Sequence, residues 1–314
     1  MMKSILSVRI TLLHCILVLV IVACNKVDHA EDAPGQNQNN TTNATDSSIT
    51  DSTYTINYPP VNVTTCPSAP NYGDSIVFIK PKLGADFILD PVNNKGTSGT
   101  YLSWPEGLQL NQNTGAINLS KSETGIRYNI AFIKKGTTDT CVSQLIVGGL
   151  TYLDGIYILD QNDTLALPIF NADPFAAPVC NTSNDTDYPD NNGNGDNKCT
   201  FDDDAPGQRA NDQKLRVRTK SGIINLKRSV ADGLFGKNPK DGAKKMLQIR
   251  YALNDASQKA SQKISVQVIY YDKASSIPTN LQQEVTTKRA NLFQYKIVNG
   301  KPRPPLLIIA GYTK

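Results

Sequence analysis

DNNGNG, Asp190 to Gly195, places oxygen-bearing side chains at loop positions 1, 3 and 5 and a glycine at position 6. Alternate side chains of such a loop converge on one point while glycine permits the sharp turn, so the chemistry on offer is ligation of Ca2+. Asp190, Asn192 and Asn194 are the candidate side-chain ligands, and Asp196 follows at position 7, where a backbone carbonyl can serve. Position 9 is Lys198 and position 12 is Phe201, so the closing bidentate acid is missing. Asp202, or the outlying Asp185 or Asp187, has to take its place. Cys180 and Cys199 bracket the stretch, and a disulfide between them would restrict the unfolded chain by roughly 3 kcal/mol. Calcium binding, an acidic flap and plain solvation are three readings that stay open here.

The flap reading needs a basic partner, and one follows fifteen residues on. In KLRVRTK, Lys214, Arg216, Arg218 and Lys220 recur with period two, so a strand would carry all four on one face and Leu215 and Val217 on the other. They stand in a strongly segregated chain. From Cys24 to Asp204 there are 9 Lys/Arg against 22 Asp/Glu, a balance of −13; from Ala205 to Lys314 there are 21 against 6, or +15. Such a stripe suits an acidic glycan or lipopolysaccharide. A solvated sandwich face is the plainer account. Nucleic acid is not expected as a partner, because no aromatic residues interleave the charges.

Several reaction classes lack their residues. His14 and His29 are the only histidines and both precede the expected folded region, which excludes Ser-His-Asp and Cys-His machinery and histidine-ligated zinc there. No phosphate-cradling glycine loop follows a strand. Past the tether the glutamates are Glu106, Glu123 and Glu284, none in a recognisable acid–base context. Aspartate pairs in the second half leave a carbohydrate-active enzyme as the alternative to a binding role. Trp104 is the sole tryptophan and reads as core rather than as a sugar platform.

The elements that must position these residues begin after residue 58. Lys3 and Arg9 precede an apolar core, Ile10 to Ala23, and polar sequence starts directly after Cys24, the pattern of an exported signal peptide (1–23). An uncleaved membrane anchor is the other reading. Residues 24–58 are almost wholly polar and read as a disordered tether, long enough to hold a domain roughly 30 Å from its anchor. Four cysteines remain beyond it: Cys66, Cys141, Cys180 and Cys199. An even number in an oxidising compartment suggests two disulfides. Three pairings are open, and Cys66–Cys141 with Cys180–Cys199 is preferred because each then falls inside one proposed domain.

The chain also resembles itself. GLQLNQNTGAINLSKS (107–122) aligns without a gap on KLRVRTKSGIINLKRS (214–229), an offset of 107. Beyond an extra segment at 230–245 the offset becomes 123, where IRY at 126–128 meets IRY at 249–251 and Gln144–Ile146 meets Gln267–Ile269. Both copies alternate apolar and polar residues around glycine turns, which predicts short strands. Near 279–294 one helix is expected, with Leu281, Val285, Leu292 and Phe293 as its apolar stripe and Lys288 and Arg289 towards its end. Packing onto the second domain is its expected role, ahead of partner binding. PRPPLLIIAGY then supplies a buried strand.

Three family resemblances sharpen this. IVAC (21–24) resembles the lipobox of bacterial lipoproteins, which implies a diacylglyceryl thioether on Cys24. Asn25 rather than aspartate follows, which fits the outer membrane, periplasmic or surface-facing. Ser103 to Phe132 resembles the bacterial Ig-like and cadherin-like repeats through Pro105, Gly107, Leu108, Leu110, Thr114, Gly115, Ile117, Gly125 and Tyr128. That implies an Ig-like sandwich used in stalks, adhesins and enzyme accessory modules. The second half keeps Gly-x-Ile-Asn-Leu but lacks the Pro-Glu-Gly lead-in. DNNGNG resembles the opening of EF-hand, dockerin and thrombospondin type 3 loops. The expectation is therefore an all-β chain with two tandem Ig-like β-sandwich domains, 59–150 and 151–314. The second carries an acidic insertion at 180–204 and the C-terminal helix. The expected role is a membrane-anchored binding, adhesion or scaffold module.

Overall fold

The computed structural model describes residues 66–82, 84–180, 199–293 and 304–313. Cys24, the tether, and the candidate ligands Asp190, Asn192, Asn194 and Asp196 lie outside the described residues. Alternating patterns fold into strands throughout. The first half runs through β1 (Ile76–Val77), β2 (Ile88–Leu89), β3 (Gly99–Trp104), β4 (Ile117–Asn118), β5 (Ile126–Lys134) and β6 (Thr140–Val147). One sheet has the order β1-β6-β5-β3, antiparallel except for β1 beside β6, and the other pairs β2 with β4. Ile117, Tyr128, Ile130, Leu145 and Val147 fill the core with Tyr72 and Leu119.

A short connecting strand, β7 (Leu150–Tyr152), leads into the second half: β8 (Gly155–Ile158), β9 (Leu165–Ala166), β10 (Pro168–Phe170), β11 (Thr200–Phe201), β12 (Arg216–Val217), β13 (Ile224–Asn225), α1 (Leu226–Ala231), β14 (Ala243–Ala252), β15 (Gln262–Lys273), α2 (Thr279–Phe293) and β16 (Leu306–Tyr312). The main sheet is β11-β14-β15-β16-β8, and β12-β13-β9 lies apart from it. Leu247, Ile249, Tyr251, Val266, Val268, Leu307 and Ile309 join residues of the smaller sheet in the largest core cluster.

The repeat is visible bond by bond. Leu110 bridges Ile117 and Val217 bridges Ile224, 107 residues on. Ser122 Oγ accepts from Gln109 N (3.0 Å) and donates to Asn118 O (2.8 Å). Ser229 Oγ accepts from Arg216 N (2.8 Å) and donates to Asn225 O (2.7 Å). Tyr72 donates its hydroxyl to Gly115 O, and Tyr152 donates to Gly222 O, both at 2.6 Å. Sheet pairing follows suit: β3·β5·β6 in one half corresponds to β11·β14·β15 in the other.

Two expectations change. The IRY triplets are not equivalent positions. Tyr101 sits opposite Phe132 and Phe201 opposite Tyr251, so Tyr251 matches Phe132 and the triplet has moved four residues along its strand. The Gln144–Ile146 match shifts by two residues: Leu145 pairs with Tyr128, and Leu247, which takes Tyr128's place, pairs with Val266 rather than Val268. Secondly, beyond the expected helix, the second half also contains parallel pairing, which the sequence did not announce. β15, β16 and β8 run parallel, and α2 lies between β15 and β16 in the chain. A parallel pair needs such a crossover. In the first half β1 lies directly beside β6; in the second, β16 occupies that place and β8 is displaced by one strand. Leu306 to Ala310 are all buried, as a strand covered on both faces requires. Leu306, Ile308 and Ala310 face a cluster with Val285 and Leu281 of α2, while Leu307 and Ile309 face the main core.

Candidate charged site

The sequence singled out the KLRVRTK stripe and the acids upstream of it. Their stems are physically joined. Cys180 and Cys199 form a disulfide with Cα atoms 5.8 Å apart, and Cys66 joins Cys141 with Cα atoms 5.3 Å apart. Straight after Cys199, Phe201 N donates to Thr219 O at 2.8 Å, which seats the end of the loop beside Lys220.

Asp202 takes the left-handed conformation (φ 58°) and turns inward. Its Oδ1 accepts from Ala210 N at 2.6 Å, and its Oδ2 accepts from the backbone and side-chain nitrogens of Asn211 at 2.9 and 2.8 Å. Asn211 in turn donates to Val217 O and accepts from Val217 N. Burial pushes the Asp202 carboxyl up, against the opposing pull of those N–H donors. Both oxygens are thus used to hold the 203–214 loop on β12. Among the described residues no three His, Cys, Asp or Glu side chains gather as a metal site.

The stripe keeps its alternation but not its freedom. Leu215 and Val217 are fully buried, while Lys214, Arg216 and Arg218 are outside the core. The strand itself is only two residues long, and Lys214 sits in a left-handed turn with φ 73°. Arg216 is committed: its Nε lies 2.5 Å from Asp232 Oδ2, and Nη1 donates to Asn211 O at 3.2 Å. Arg228 Nε reaches the same Asp232 oxygen at 3.0 Å. Burial tends to raise the Asp232 carboxyl, yet the two guanidinium groups more than offset it and hold it below the ordinary carboxylate range. Lys220 lines a cleft of about 360 Å³ with Asp202, Asp203, Asp212 and Arg209. The stripe therefore meets an acid at Arg216 and shares a cleft with others at Lys220. Period two announced the alternation; no local signal announced Asp232, which lies across α1.

Trp104, read as core from the sequence, is buried; so are Tyr270 and Tyr271, which point to opposite faces of β15. Sequence reading missed the hydroxyl of Tyr251. It donates to Gln262 Oε1 (2.9 Å), accepts from Leu150 N (3.3 Å) and meets Thr124 Oγ1 (2.7 Å), joining both halves at one atom. No helix among the described residues is long and apolar enough to cross a membrane.

No protein-family model matches the chain, and no curated protein does. Among solved structures it is similar to the human protocadherin-24 EC1-2 crystal structure, at 10% identity and a TM-score of 0.20, over 63% of this chain and 94% of that one. A second crystal form of the same protein gives 9%, 0.19, 62% and 92%. Overlap at that level bears on neither ligand nor partner. The class the molecule itself defines is a mostly β, disulfide-bonded protein.

Proposed function

We propose that this chain is a lipid-anchored outer-membrane module of two tandem Ig-like sandwiches that binds an anionic surface polymer. The observation that carries the binding reading is the charge segregation, −13 from Cys24 to Asp204 and +15 from Ala205 to Lys314. Much of the basic half's charge is exposed, including Lys227, Lys237, Lys240, Lys244 and Lys245. A concentrated positive field raises the local concentration of polyanions and steers their approach. The matching hydrogen-bond networks of the two halves support the tandem reading, with β16 an extra strand in the second copy. Cys24 is the acylation site of this account; Cys24→Ser should move the protein from the membrane to the soluble fraction. Lys214, Arg218 and Lys220 remain candidate ligand contacts. Within the loop, calcium stays a proposal resting on Asp190, Asn192, Asn194 and Asp196.

The test is a screen of acidic and neutral glycans, with and without calcium. Retention of acidic glycans alone is the expected result, and equal retention of neutral ones would sink the reading. A carbohydrate-active enzyme is the second reading, because Asp202, Asp203 and Asp212 share one cleft. Against it, Asp202 has both oxygens engaged. Sugar release that disappears in Asp203→Asn/Asp212→Asn would favour the enzyme.

A further inference from the structure

A second cleft, of about 600 Å³, is lined from both halves: Lys80, Lys82 and Ser120 from the first, Lys259 and Ser261 from the second. Its volume falls within the range of small-molecule sites, about 300–1,000 Å³. Unlike the cleft beside Lys220, its lining has no carboxylate. None of the three lysines has an ion-pair partner among the described residues; Lys82 Nζ reaches only the carbonyl of Asp86, at 3.5 Å. The nearby acid, Asp86, is already paired with Lys121 at 2.9 Å.

The two hydroxyls add to this. Ser120 Oγ accepts from Phe87 N at 2.8 Å, and Ser261 Oγ accepts from Arg250 Nη1 at 3.0 Å. With protein donors on their oxygens, both hydroxyls have their protons left to give. The polar side chains of the cleft are thus all donors. The backbone that carries Lys259 is also held at some cost. Gln258 and Lys259 are consecutive left-handed residues (φ 55° and 60°), a conformation that costs roughly 1–3 kcal/mol per residue. The loop beneath is pinned by Ser257 N donating to Asp255 Oδ1 (2.8 Å) and Ala260 N donating to Ser257 O (3.1 Å), with Ser257 and Ala260 buried.

We infer that this junction cleft is the subsite for an acidic oligosaccharide, its sulfate or carboxylate groups received by Lys80, Lys82 and Lys259 and by the two serine hydroxyls. The inference rests on the polyanion reading above and gives it an address. Acceptor-rich, donor-poor groups satisfy such a lining, and the ammonium groups relieve their mutual repulsion by sharing one anion.

Titration of the full chain in detergent with a heparin hexasaccharide tests it, with an unsulfated oligogalacturonate as the carboxylate-only arm. Lys80→Ala, Lys82→Ala and Lys259→Ala combined should weaken binding roughly tenfold or more, since each exposed ion pair supplies a factor of up to about five. Lys237→Ala, Lys244→Ala and Lys245→Ala combined remove equal charge elsewhere and should cost markedly less. All six lysines are exposed, so both variants should keep the parent's circular dichroism and melting temperature. Equal losses in the two variants, or no loss in the first, would overturn the subsite while leaving polyanion binding intact. Absence of binding to either saccharide by the parent chain at low salt would overturn both.

Discussion

Asp232 shows how a single residue decides what a basic stripe can do. Its carboxylate takes two arginines, which ties Arg216 into the fold. The sign of its pH effect follows from its lowered pKa. The unfolded chain binds that proton more readily, so the stabilisation is complete above the unfolded value of about 3.9 and fades as pH falls through the folded one. Asp232→Asn should cost about 1–3 kcal/mol at neutral pH, by analogy with other hydrogen bonds to charged groups. It should also flatten the acid limb of a stability–pH profile, measured by urea unfolding; an unchanged acid limb would contradict the pairing. At this scale the sequence was partly legible. The alternation of Leu215 and Val217 with basic residues was readable because strand period is a local property. The fate of Arg216 was not, because its partner lies sixteen residues away across a helix.

At the scale of elements, the glycine hairpins are the most conservatively repeated parts. Gly115 (φ 76°) and Gly222 (φ 72°) lie under the rings of Tyr101 and Phe201. An added Cβ on Gly222 would come within 2.5 Å of Phe201. Gly222→Ala should therefore destabilise by about 2–4 kcal/mol, combining left-handed strain with overpacking. Gly115→Ala should behave alike, and thermal melts of the two variants compare them directly. This hairpin was readable from residues because its glycine, its alternation and its Ile-Asn-Leu core are contiguous. The four-residue slip of IRY was not. Moving a strand by an even number of residues keeps every side chain on its face, so the hydrophobic pattern is blind to it. The helix was predicted near 279–294 and lies at Thr279–Phe293. Where β16 enters the sheet could not be read, since a continuous apolar run says that a strand is buried but not between which neighbours.

Over the whole molecule, the two halves meet at Tyr251, whose phenol is fully buried and pushed up to about 12 by that burial. Tyr251→Phe leaves Leu150 N, Thr124 and Gln262 short of a partner and should cost about 1–3 kcal/mol. Amide exchange should rise around Leu150, and unaltered exchange there would mean that the hydroxyl does not couple the halves. Lys259 stands three residues before Gln262, the acceptor of the Tyr251 hydroxyl. The segregation of charge was countable in the sequence; its disposition was not, because only folding reveals which lysines have acids beside them. Polyanion binding by charge is the proposal that most needs a direct readout. Its most direct test is the affinity of the full chain for heparin at about 10 mM and about 1 M salt, where the screening length falls from ~30 to ~3 Å. Clear binding at low salt that collapses at high salt is the expected result. Absence of binding at low salt, or an affinity indifferent to salt, would contradict the proposal.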